Sequence, residues 1–135
     1  ALAVAVKFDE TKEFGLSNDI NKAYSLPSLV QGMCLSGGKV YLSTSYGVKF
    51  SNVYSYNVGN AEVKKDSTVM GKSVDLVVFD EKSLIKQTKI APMSEEIAIV
   101  DGKAYVMCEA ASNKYKFGKF TSAKYCYATN LEYFG

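Results

Sequence analysis

The polar residues that could carry chemistry in this chain lie at corresponding ends of two predicted β-hairpins. They are Gln31, Thr44, Ser45, Glu95, Glu96 and Glu109. Carboxylate, amide and hydroxyl oxygens bind hydroxyl-rich or cationic small molecules, and loops at strand ends commonly hold ligands. We therefore predict a ligand-binding site formed by these side chains. The competing interpretation is that they are polar only because strand ends meet water.

The glutamates also raise a catalytic hypothesis, glycoside hydrolysis by two carboxyl groups about 5–9 Å apart. Glu95 or Glu96 could reach Glu109 across a hairpin. Adjacent strand residues point to opposite faces, so only one of the two can share a face with a given partner. The chain contains no His, which excludes Ser-His and Cys-His nucleophilic pairs and the commonest metal ligand. The sequence favours binding over catalysis and predicts neither a metal site nor a cofactor.

The charged residues argue against a nucleic-acid partner. The 16 basic residues are all Lys, 14 residues are acidic, and the net charge is +2. Without Arg the chain lacks the rigid fork that recognises phosphates and bases. Lys alternates with aromatic residues in "NKYKFGKF" at 113–120. This pattern can bind single-stranded nucleic acid, but it also describes a β-strand with one solvent-exposed face.

The apolar start "ALAVAV" is too short to span a membrane, so we expect no membrane span.

The cysteines fit no recognised framework. Cys34, Cys108 and Cys126 are an odd number at wide spacings, which matches neither a disulfide scaffold nor a C-x-x-C motif. We expect buried free thiols. A bridge between Cys108 and Cys126 stays open if their strands are neighbours.

The elements that must position these residues are β-strands. Alternating apolar residues and many aromatic residues predict an all-β chain. Strands are predicted at about 2–8, 29–36, 39–46, 52–58, 74–80, 95–100, 103–109 and 122–129. The polar stretch 57–73 is interpreted as an exposed connection.

Two short turns set the register of the hairpins. Gly37-Gly38 and Asp101-Gly102 supply the positive φ angles that two-residue type I′ turns require. The predicted facing pairs are Leu35 with Val40, Met33 with Leu42, Gln31 with Thr44, Ile99 with Ala104, Ile97 with Val106, and Glu95 with Cys108. Each hairpin is then apolar near its turn and more polar at its far end.

The hairpins belong to a longer internal repeat. "AVKFDE" at 5–10 resembles "LVVFDE" at 76–81, "SNVYSYN" at 51–57 resembles "SAKYCYA" at 122–128, and a Pro precedes each hairpin. Repeat one is predicted at about 1–73 and repeat two at about 74–135 of a single segment. Each repeat makes a small antiparallel sheet with an apolar face, which is a β-propeller blade in outline.

A family resemblance rests on two of these runs. "LPSLVQGMCLSGGKVYLSTSYG" at 26–47 and "APMSEEIAIVDGKAYVMCEAASNKY" at 91–115 resemble blade motifs of uncharacterised bacterial six-bladed β-propellers. One departure is Glu96, which stands where the first copy has Gly32. The resemblance implies a partial propeller that is completed by the remaining blades of a parent protein or by further copies of this chain.

The same resemblance implies an extracellular or cell-surface bacterial protein. Its ligand, a carbohydrate or another small molecule, would bind at the mouth of the central channel. Two alternatives remain open, a fragment of a propeller-type carbohydrate-active hydrolase and a purely structural scaffold.

Overall fold

The chain is built almost entirely of β-strands, as the sequence predicts. The structure is a computed structural model and describes residues 1–109 and 126–135. The strands are β1 Leu2–Phe8, β2 Leu16–Ser25, β3 Val30–Ser36, β4 Lys39–Thr44, β5 Ser51–Asn57, β6 Glu62–Val69, β7 Lys72–Val78, β8 Leu84–Ile90, β9 Ser94–Val100, β10 Lys103–Cys108 and β11 Tyr127–Asn130. Short 3-10 turns follow β5 at Val58–Asn60 and β11 at Leu131–Phe134. Within the described ranges, no helix is long and apolar enough to cross a membrane.

The strands form three sheets. The central sheet has the order β3-β4-β5-β8 and is antiparallel throughout. The mixed sheet has the order β1-β2-β7-β6, in which β2 and β7 run parallel. The three-stranded sheet has the order β11-β10-β9.

The central sheet is covered on both faces. Val40 and Leu42 of β4 contact Val77 from the mixed sheet in one apolar cluster. Tyr41, which points the opposite way, lies in a second cluster with Ile97 and other residues of the three-stranded sheet. Because alternate residues of a strand face opposite sides, burial of all three β4 side chains, each no more than 1% exposed, makes the central sheet the middle layer.

The predicted turns are present, and the register beside them is as expected. Gly37, Gly38, Asp101 and Gly102 all have positive φ angles, between 48° and 74°. Leu35 pairs with Val40 and Met33 with Leu42 in the first hairpin; Ile99 pairs with Ala104 and Ile97 with Val106 in the second.

The register prediction is wrong at the far end of both hairpins. Thr44 pairs with Val30 and not with Gln31, and Cys108 pairs with Ser94 and not with Glu95. Each shift comes from one extra residue on the first strand of the hairpin, a β-bulge. The alternation rule therefore fails at the same place in both copies.

Three strands were missed by the sequence pattern. β2 and β8 lie where no strand was predicted, and β6 lies within residues 57–73, which were interpreted as a connection. A third two-residue turn, Met70-Gly71 with φ angles of 50° and 77°, joins β6 to β7. β6 is exposed along most of its length, so backbone pairing with β7 defines it and no burial pattern marks it.

The cysteine prediction is only partly right. All three thiols are free, but Cys108 alone is buried, while Cys34 is half-buried and Cys126 is exposed. Cys126 directly precedes β11, which pairs with the strand that ends at Cys108. The predicted strand at 122–129 is described only from residue 126 onwards, and the Lys-aromatic run 113–120 lies outside the described residues.

Candidate functional site

A cavity of about 520 Å³ lies where the far ends of the two hairpins meet. Four of the predicted site residues line it: Gln31 and Ser45 from the first hairpin, and Glu95 and Glu109 from the second. Loop residues 46–48, with Tyr46 67% exposed, form one apolar wall. The cavity therefore combines polar side chains from both hairpins with an accessible aromatic ring.

The cavity has an internal symmetry that follows the repeat. Three pairs of lining residues, Leu29 and Met93, Gln31 and Glu95, Ser45 and Glu109, share one spacing along the chain. Each pair places the same part of its hairpin against the cavity. The two copies thus face one another across it, and their polar residues differ only in that an amide and a hydroxyl in the first copy become carboxylates in the second.

The backbone holds both hairpin ends in the same way. Leu29 and Met93 have φ angles of 65° and 63°, which non-glycine residues adopt rarely. The amide N–H of Ser45 donates to the Leu29 carbonyl oxygen at 3.2 Å, and the amide N–H of Glu109 donates to the Met93 carbonyl oxygen at 2.7 Å. These bonds close each hairpin one residue beyond its last strand position and set Ser45 and Glu109 beside the cavity.

The bulges direct Gln31 and Glu95 into the cavity. Gln31 is the extra residue between the pairs that Val30 and Gly32 make, and Glu95 lies in the matching bulge of β9. A bulge re-aims a side chain relative to regular pairing. Strand alternation in the sequence placed these residues opposite Thr44 and Cys108. That prediction was wrong because alternation does not reveal the extra residue of a bulge.

Thr44 and Glu96 do not line this cavity. Thr44 lines a neighbouring cavity of about 230 Å³, and its hydroxyl donates to the Asn52 carbonyl oxygen at 3.3 Å. Glu96 is exposed, and its Oε1 accepts a hydrogen bond from the amide N–H of Ile97 at 2.9 Å. The structure therefore places Glu95 in the cavity and Glu96 outside it.

Apolar lining residues were not anticipated from the sequence. Leu29, Met93, Tyr46 and Val48 line the cavity beside the polar residues. The repeat itself carries a signal for the first two, because each follows a Pro and precedes a hairpin. Nothing in the pattern marks Tyr46 and Val48, whose positions depend on the path of the loop after β4.

The electrostatics of the cavity centre on Glu95. Burial raises the pKa of its carboxyl group above the ordinary value of 4.5, and the nearby Glu109 carboxylate raises that pKa further. Burial also raises the pKa of the Cys108 thiol, with smaller contributions from Cys126 and Glu95. The residues that line the cavity include no Lys, so the cavity is unfavourable for anions.

No cluster of three or more metal-ligating side chains occurs in residues 1–109 and 126–135. Comparison with protein-family models, with curated proteins and with solved structures gives no match for this chain.

The raised pKa predicts a pH-dependent stability difference. The folded chain holds the Glu95 proton more tightly than the unfolded chain, so stability falls as pH rises from 4.5 through the folded pKa. We expect Glu95→Gln to raise the melting temperature at about pH 7 and to leave it nearly unchanged at about pH 4, where the wild-type carboxyl is largely protonated in both states. Melting curves across this range provide the measurement.

A second variant separates the two causes of the shift. Glu109→Gln should lower the pKa of Glu95 without restoring the ordinary value, because burial is the larger cause. Carboxyl NMR titration of Glu95 measures this directly. A melting-temperature difference for Glu95→Gln that is independent of pH would contradict the assignment.

Proposed function

We propose that this chain is a ligand-binding module of β-propeller type and that the cavity between its two hairpins binds a small hydroxyl-rich molecule, such as a short saccharide. The observation that carries the proposal is the 520 Å³ cavity lined by three repeat-related residue pairs. Carboxylate and amide oxygens accept hydrogen bonds from sugar hydroxyls, and Tyr46 offers an exposed ring for the apolar face of a sugar.

The stacking of the sheets supports the propeller part of the proposal. Val40 and Leu42 of the central sheet face the mixed sheet, and the residues at the matching repeat positions, Ala104 and Val106, face the central sheet. The second strands of the two hairpins thus turn the same face toward the preceding layer, which is how propeller blades follow one another. In this proposal further blades, from a parent protein or from other copies, complete the ring, and the cavity lies at the mouth of its channel.

Removing a cavity carboxylate is expected to weaken binding. Hydrogen bonds to charged groups contribute about 1.5–3 kcal/mol, so Glu95→Gln or Glu109→Gln should weaken saccharide binding about 10- to 100-fold. Saturation-transfer NMR against a panel of mono- and disaccharides identifies a ligand, and calorimetry then measures its affinity for each variant.

Glu96→Gln is the matched control, because Glu96 adjoins Glu95 in sequence but lies outside the cavity. Its affinity should equal that of the wild type. If the wild-type chain binds no member of the panel, the proposal fails and the scaffold interpretation takes its place. Equal losses for Glu95→Gln and Glu96→Gln would show that the binding site lies elsewhere.

A second candidate, glycoside hydrolysis, is favoured by one observation. Burial and the neighbouring Glu109 raise the pKa of Glu95, and a pair of carboxyl groups in different environments is the arrangement glycosidases use. Release of nitrophenol from aryl glycosides, abolished in either Gln variant, would support this function over binding alone.

A further inference from the structure

The outer edge of β11 is the repeat counterpart of an edge that another strand covers in the central sheet. β5 lies between β4 and β8, whereas β11 pairs with β10 and is the last strand of its sheet as described. The counterpart relationship is set by pairing, since Val40 pairs with Tyr56 in the central sheet and Ala104 pairs with Thr129 in the three-stranded sheet.

The backbone groups of β11 are oriented as those of β5 are. The amide N–H of Val58 donates to the Gly38 carbonyl oxygen at 3.0 Å, and that of Leu131 donates to the Gly102 carbonyl oxygen at 3.0 Å. Amide groups alternate in direction along an antiparallel strand. The preceding residue of β5, Asn57, therefore points away from β4, and its N–H donates to the Ser83 carbonyl oxygen at 2.8 Å.

The same alternation aims the backbone groups of Asn130 and Ala128 away from β10. These are the counterparts of Asn57 and Ser55, whose outward groups face β8. Exposure agrees with this relationship, because Ser55 is fully buried while Ala128 and Asn130 are exposed. The N–H and C=O groups of β11 that point away from β10 therefore have the same orientation as the β5 groups to which β8 hydrogen-bonds in the central sheet.

We propose that the β11 edge binds an extended peptide segment as an added antiparallel strand. Strand addition derives its affinity from main-chain hydrogen bonds and its specificity from alternate side chains. The partner is a protein segment with the chemistry of β8. Like β8, it carries Lys and Thr at the positions of Lys86 and Thr88, on the face shared with Ser55 and Val53, and polar residues at the positions of Gln87 and Lys89 on the other face; it contains no Pro. This proposal is independent of the ligand cavity.

A synthetic peptide with the sequence of residues 83–91, SLIKQTKIA, is the direct probe. We expect saturable binding to the full chain with a Kd below about 1 mM. In amide-exchange NMR the peptide should slow exchange at Ala128 and Asn130 and leave Ser55 and Asn57 unchanged. A peptide with Lys86→Pro should bind at least about 10-fold more weakly, because Lys86 faces Ser55 in the β5–β8 ladder and Pro removes its donor.

The variant Ala128→Pro tests the same edge from the protein side. Pro is tolerated at a sheet edge whose N–H faces outward, so the chain should keep its dispersed NMR spectrum and lose about 10-fold in peptide affinity. The proposal is overturned if the peptide slows no β11 amide, if the Lys86→Pro peptide binds equally well, or if the peptide instead displaces β8 and alters exchange at Ser55. The peptide controls remain decisive even if Ala128→Pro fails to fold.

Discussion

Replacing Gly32 with Ala is expected to destabilise the chain by about 1–3 kcal/mol, an overpacking cost at a backbone contact. A Cβ atom at this position would lie 2.7 Å from the Glu95 carbonyl oxygen and 2.8 Å from the Glu96 Cα atom. Both are backbone atoms of β9, so relief requires the central and three-stranded sheets to move apart. That movement would also displace Glu95, so the saccharide affinity that we propose should fall together with the melting temperature.

Gly59→Ala provides the matched control for Gly32→Ala. Gly59 has no positive φ angle, and the nearest atom to an added Cβ is a side-chain oxygen of Asn57 at 3.2 Å. The expected change in unfolding free energy is below about 1 kcal/mol in either direction. Urea unfolding of both variants makes the comparison. Similar stability for the two variants would mean that the sheets do not meet at Gly32 as closely as described.

The second large effect is expected at the centre of the middle layer. Leu42 is fully buried between the central and mixed sheets, so Leu42→Ala should lower the free energy of unfolding by about 2–5 kcal/mol through lost burial and a residual cavity. For a single domain of this size, such a loss is a large part of the total stability. The measurement is the shift in the urea midpoint at constant m-value.

Leu35→Ala is the matched control for Leu42→Ala. Leu35 lies in the same hairpin but is 53% exposed. Because truncating this half-exposed side chain removes little buried surface, Leu35→Ala should lower the free energy of unfolding by less than about 1 kcal/mol. Equal losses at the two positions would contradict a central sheet covered on both faces. A loss of unfolding free energy for Leu42→Ala in the expected range would confirm that the mixed sheet packs against Leu42 in solution.

Both predictions concern the packing that assembles the cavity. Gly32 permits the close approach of β9, and Leu42 fixes the central sheet against the mixed sheet. The position equivalent to Gly32 in the second copy is occupied by Glu96, which has a side chain and is exposed. Glu96 also lies against Gly32 itself, because its Oε1 atom would be 2.9 Å from a Cβ atom added at residue 32.

The all-β class, the hairpin turns and the register next to them could be derived from the sequence alone. They depend on neighbouring residues: Gly37-Gly38 and Asp101-Gly102 adopt positive φ angles wherever they occur in a tight hairpin, and the pairs beside the turn then follow by counting. The likeness of the two hairpins was visible for the same reason, since each carries a two-residue turn at the same distance from its polar end.

Only the tertiary structure decided the bulges, the edge strands and the cavity. The extra residues at Gln31 and in β9 obey no alternation rule, yet they separate Thr44 and Glu96 from the cavity that Gln31 and Glu95 line. β6 is largely exposed and β8 lies at a sheet edge, so both exist because their backbones pair with β7 and β5. Backbone pairing and contact between sheets join residues distant in sequence, and side-chain periodicity carries no record of them.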